Sequence, residues 1–270
     1  MNTAVVTMRG LNLPAHRIMA LARAEGVLLR RNRTALLTAV VLPAPVVYGF
    51  KMLPGAAGPG GAGAAFLIGL TAFALLFAVY YNLVTTLVAR REQLVLKRLR
   101  TGETTDGEIL AGTAAPAVAV AWTQIAVAGV AALAVSGLGR PANAVLALVA
   151  LAGGSVVFVL LAVVSAAVTR SVEVAQITTL PVLIIPFAFS GLVFRLAMLP
   201  EPLRWVADAL PLTPVAELMR LALTGTSEDG HHLGLTASFT AAAVPVLVLA
   251  AWTLAGGWAA RRWFRWEPRR

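Results

Sequence analysis

Few residues in this chain have the type and spacing to do chemistry. His231 and His232 stand side by side, two residues after Asp229. Adjacent side chains diverge from the backbone and chelate poorly, so no metal site is expected there. There is no cysteine, which excludes disulfides, thiol nucleophiles and thiolate metal sites. No G-x-x-x-x-G-K-[ST] run is present, so this chain is not expected to bind a nucleotide cofactor or to hydrolyse one itself. Polar groups do occur inside long apolar stretches: Tyr80, Tyr81, Asn82, Thr85, Thr86, Trp122, Gln124, Gln176, Thr178 and Thr179. An intramembrane enzyme needs paired acids or histidines at membrane depth, and an ion-coupled carrier needs charges within its spans; neither pattern is found. For Asn82, Gln124 and Gln176 one reading is hydrogen bonding between helices. The other groups Tyr81, Asn82, Thr85, Gln124, Gln176 and Thr178 as a sparsely polar path for a hydrophobic or amphipathic cargo.

The densest chemistry is a charged island over residues 90–108, RREQLVLKRLRTGETTDGE, between two apolar runs. It holds five basic and four acidic residues. Leu94, Val95, Leu96 and Leu99 are interleaved with Lys97, Arg98 and Arg100, the pattern of a short amphipathic helix that Thr101-Gly102 would end. A loop that serves only to mark topology needs no such apolar residues, so the island reads as a docking element. Thr105-Asp106-Gly107-Glu108 has the form of a capping box opening the next helix.

These residues must be held by elements of a particular kind. The chain has 270 residues, of which 59% are hydrophobic and 13% charged, with a mean hydropathy of +0.82. That excludes an ordinary globular domain. The net charge of +10 would suit nucleic acid, but it lies beside apolar runs, where it marks a membrane face and contacts anionic lipid. No nucleic-acid partner is expected. Two lysines among 22 basic residues, with abundant alanine, suggest a GC-rich bacterial genome and hence a bacterial plasma membrane.

About 20 apolar residues cross a bilayer core. Six candidate spans lie near 34–53, 64–88, 109–135, 144–169, 172–194 and 234–258. The expected fold is all-α: one polytopic membrane domain over 1–270. Six spans put both termini on one side. That side collects 17 basic residues and the other five, so it reads as the cytoplasm. The cytoplasmic parts are then 1–33, 90–108 and the tail 259–270. Residues 1–33 lack the continuous apolar core of a cleavable signal peptide.

Pro14 to Arg33 puts Ile18, Leu21, Ala22 and Leu29 on one helical face, with His16, Arg23, Arg30 and Arg31 opposite. This predicts a helix lying at the membrane surface, with a solvated basic tail as the alternative. Residues 195–233 mix leucines at helical spacing with Pro200, Pro202, Pro211 and Pro214. Short broken helices entering the outer leaflet, packed against protein, fit that stretch.

Arg91-Glu92 followed by Leu96-Lys97-Arg98-Leu99-Arg100 resembles the cytoplasmic loop of ABC-2 type exporter permeases. Ser190-Gly191-Leu192-Val193-Phe194, then Leu199-Pro200, then Leu210-Pro211-Leu212-Thr213-Pro214, Glu217 and Arg220 resemble that family's elements between its fifth and sixth spans. Arg195 stands where the family often has proline, and Leu94 where it often has glycine. The resemblance implies two permease copies, as a homodimer or a heterodimer with a related permease, paired with two ATP-binding cassette ATPase subunits. ATP and Mg would be bound by those partners. It implies that Arg91, Glu92, Leu96, Lys97, Arg98, Leu99 and Arg100 form a coupling helix in a groove of the ATPase. It also implies that Ser190, Gly191, Phe194, Pro200, Pro211 and Thr213 belong to an outer gate region. The cargo would be a drug, peptide antibiotic, lipid or glycan.

Overall fold

The computed structural model describes residues 61–100, 105–135, 141–193, 196, 199–226 and 231–264, with isolated positions before residue 61. The surface helix expected over 14–33, the first span expected over 34–53 and most of the loop after it lie outside the described residues.

Among the described residues the architecture is helical. In chain order the elements are α1 (Gly61–Glu92), α2 (Val95–Arg100), α3 (Asp106–Val135), α4 (Ala144–Val168), α5 (Val172–Phe189), α6 (Glu201–Ala209), α7 (Thr213–Thr224) and α8 (Leu235–Trp263). Five of these, α1, α3, α4, α5 and α8, are long and apolar enough to cross a membrane. They correspond to the second through sixth expected spans. α1 is longer than expected at both ends, α5 stops earlier and α8 runs further.

The helix starts follow from local side-chain chemistry. The Asn143 side chain accepts from Leu146 N (3.3 Å) and opens α4, while Ser171 Oγ accepts from Val174 N (3.4 Å) and opens α5. At α3 the capping box forms as read: Glu108 N donates to Thr105 Oγ1 (3.3 Å), and Thr105 N donates back to the Glu108 carboxylate (2.6 Å).

α1 is the axis of the bundle. In its most apolar stretch 83% is buried, against 22–39% for the other spans, so α3, α4, α5 and α7 pack around it. Its middle, Ala74–Tyr81, is wound as a π-helix, a form that concentrates at functional sites. Rings spaced by four residues run along it, with Phe73 stacked on Phe77 at 4.1 Å and Tyr81 following at 6.5 Å. Tyr80 points the other way, into α4, where its hydroxyl meets Ser165 Oγ (3.0 Å) and its ring meets Phe158 edge-on.

The stretch after α5 holds the broken helices that its prolines imply. α7 does not skim a surface: Pro214, Val215, Leu218, Met219, Leu221 and Ala222 are all buried against α4, α1 and α8. Val215 sits at Gly154, ten residues into α4 and so about 15 Å from its start, half of a bilayer core of roughly 30 Å. The Trp252 indole of α8 donates to the Ala209 carbonyl at the end of α6 (2.8 Å). The turn between α6 and α7 therefore lies near mid-membrane. Gly225, at φ +63, ends α7 in the left-handed conformation that favours glycine.

The outward faces of α3, α5 and α8 carry exposed Val127, Val130, Ile177, Ile184, Leu247 and Leu254. Apolar faces of that kind belong against lipid or another apolar helix, so the chain is a multi-pass membrane protein.

Candidate functional site

The charged island does not form the single helix expected over its first half. α1 continues through Arg91 and Glu92, and the chain then turns at Gln93 and Leu94 before α2 begins. Leu94 takes φ +59, the left-handed region, and is the one non-glycine residue to do so among those described. An L side chain there costs about 1–2 kcal/mol. The turn lets α2 fold back on the root of α3.

That fold-back divides the predicted docking residues into two sets. Leu96 is 1% exposed and packs on Ile109 of α3, with Leu99, Leu110 and Phe264 around them. Glu92, Lys97 and Arg98 are exposed. Leu96 thus has its apolar side chain covered by the chain's own residues. Arg91 also turns inward. Its side chain is 1% exposed and runs into the bundle, where Nη1 donates to Ala166 O (2.8 Å) and Nη2 donates to Thr169 O. Ala166 lies in the last turn of α4, which lacks intrahelical donors and carries the negative end of the helix dipole, and Thr169 caps it just beyond. Charge-assisted bonds to that end offset the cost of burying a guanidinium.

The turn between α4 and α5 is held further by hydroxyls. Thr169 Oγ1 donates to Ser165 O (2.7 Å) and meets Thr178 Oγ1 at 2.8 Å. Thr178 is thereby engaged at the end of the bundle that holds Arg91. Gln176 beside it is exposed.

The remaining path residues lie on other elements. Tyr81, Asn82 and Thr85 follow one another down α1, partly exposed, on the part that contacts the start of α5. Asn82 Nδ2 donates to Ala78 O (3.4 Å), and Thr85 Oγ1 donates to Tyr81 O and Asn82 O (3.2 and 2.9 Å). The helix to which these polar groups donate is their own, at the end of its π-helical stretch. Phe187 of α5 meets Phe73 edge-on at 6.3 Å, extending the ring column toward the opposite end. Gln124 is half-buried on α3.

At that opposite end, Ser190 is buried and donates to Phe187 O (3.2 Å), closing α5. Gly191 follows at φ +78, with Leu196 and Arg220 of α7 within van der Waals reach of where a side chain would stand. Pro200 opens α6. Pro211 is buried in the mid-membrane turn, and Thr213 Oγ1 donates across it to Ala207 O (2.5 Å). Phe194 lies outside the described residues.

Residues 16–224 match the model of the ABC-2 type transporter family. The chain belongs to that family. It is therefore a permease component of an ABC transporter, a transport domain in a family that normally works with an ATP-binding cassette component. The match ends with α7, so α8 lies beyond it. No curated protein matches the permease.

Sequence reasoning did not foresee the inward course of Arg91 or the contact of Phe264 with the α2 root. A basic residue ending an apolar run, where it can reach the carbonyl end of a neighbouring helix, was the available signal for the first. The second depends on packing between distant segments and left no local signal.

Proposed function

We propose that the permease is the membrane subunit of an ATP-driven exporter, moving a hydrophobic or amphipathic substrate out across a bacterial plasma membrane. The observation that carries this reading is α2: a short helix at the end of two spans, anchored by its apolar side and presenting Lys97 and Arg98 outward, next to exposed Glu92 at the end of α1. Such an element is suited to sit in a groove of a separate ATPase and to pass its motion on to α1 and α3. ATP and Mg belong to that partner. The exposed apolar faces support assembly of two permease copies, alike or related, with lipid covering the rest. Tyr81, Asn82, Thr85 and the Phe73–Phe77 column offer the cargo rings and a few polar groups on the helix that forms the axis. Ser190, Gly191 and Pro200 form the outer part of the gate region, with Pro211 and Thr213 deeper, in the mid-membrane turn.

The test is co-expression with a candidate ATP-binding cassette ATPase from the same genome. Lys97→Glu with Arg98→Glu should leave insertion intact and abolish co-purification of the ATPase. Unchanged co-purification would show that α2 does not dock it. Orientation is checked in whole cells with impermeant thiol labels on this cysteine-free chain. Cysteines at Ala57 and Ser227 should label and one at Thr104 should not.

A further inference from the structure

α2 is joined in the chain to α1 and α3, and Phe264 brings the end of α8 onto its root. α4 and α5 have no such attachment. Their shared turn nevertheless lies against the final turn of α1, three residues before the left-handed Leu94. Arg91 spans that contact. It leaves the backbone at the base of the Gln93–Leu94 turn and ends on the carbonyls of Ala166 and Thr169. Thr169 in turn is tied to Thr178 in the second turn of α5.

The geometry points to Arg91 as a positioning residue that carries displacement of α2 to the junction of α4 and α5. Three features support this. The guanidinium is planar and donates to two carbonyls from two nitrogens, which resists rotation as well as separation. The carbonyls lie three residues apart, at the end of α4 and just past it, so pulling on them moves a helix end and not a loop tip. The bond is buried, where water competes little for either partner. Docking at α2 would then reach all of the described spans: α1 and α3 through the chain, α8 through Phe264, and α4 and α5 through Arg91.

This inference rests on the reading of α2 as the ATPase-docking element, and its test separates the two. Spin labels on cysteines at Val95, half-buried at the start of α2, and at Glu173, exposed, report the separation of α2 from the α4–α5 turn. In the permease in nanodiscs, alone and with its ATPase, Arg91 should give one narrow distance distribution that ATP with vanadate leaves unchanged in width. Arg91→Met should widen it at least twofold and let ATP with vanadate change the separation. Arg91→Lys, which keeps one charged donor, should fall between. Equal widths in all three would overturn the proposal. If Arg91→Met fails to insert, the Arg91→Lys comparison decides: a width equal to that of the native chain overturns it. Failure of the native permease to bind any ATPase would sink the docking reading while leaving the width comparison to judge Arg91.

Discussion

Leu96 of α2 and Ile109 of α3 seal each other from solvent, with 1% and 0% of their surfaces exposed. The pair sits where the chain reverses after Leu94, and the Thr105–Glu108 capping box stands immediately before Ile109. The apolar stripe of the charged island is thus spent inside the permease. Lys97 and Arg98 remain outward, beside exposed Leu94, so binding of the proposed ATPase partner at α2 should weaken as salt rises.

Leu96→Ala should destabilise the permease itself by about 2–4 kcal/mol, because it opens a cavity at the root of α2. Leu96→Asp should cost more and lower the yield of monodisperse protein, since it buries a carboxylate without a partner. Thermal unfolding of the chain purified without its ATPase is the measurement. An unchanged midpoint for Leu96→Asp would show that this side chain faces outward after all.

Leu94→Gly should stabilise the chain by roughly 0.5–1 kcal/mol. It relieves a left-handed leucine at φ +59, and glycine's greater freedom when unfolded offsets part of the gain. The side chain is exposed, so little packing is lost. A drop in the unfolding midpoint would mean that Leu94 contributes contacts outweighing its backbone strain.

Thr105→Ala and Glu108→Ala should each cost about 1 kcal/mol, and the double variant less than the sum. The two side chains satisfy each other's backbone amides, so losing either removes much of the motif. Full additivity in a double-mutant cycle would show two independent contacts and no box.

Gly154 tests the mid-membrane packing of α7. A methyl there would stand 2.8 Å from Leu75 Cδ1 and 3.0 Å from Val215 Cγ2. Alanine should be tolerated with a small loss, because the nearest atom ends a flexible side chain. Valine should cost about 1–3 kcal/mol and push α7 from α4. Its signature is new protease sensitivity between α6 and α8, and a Gly154→Val protein as resistant as the native one would contradict the close approach.

Five of the six expected spans and the capping box were legible in the residues alone, because each depends on near neighbours. An apolar run must satisfy its own backbone as a helix in lipid, and Thr105 needs only a glutamate three residues on. The broken helices between α5 and α8 were legible for the same reason, through four prolines among leucines. The depth of α7 was not, since it rests on Gly154 and Trp252, far from α7 in the chain. Nor was the direction of the island's side chains. A short helix with leucines on one face and charges on the other can turn either face inward. Here the left-handed turn at Leu94 and contacts with Ile109 and Phe264 made the choice. Arg91 shows the same limit from the other side. As a letter it belongs with the charges around it, and only the carbonyls of Ala166 and Thr169, more than 70 residues away, draw it into the bundle.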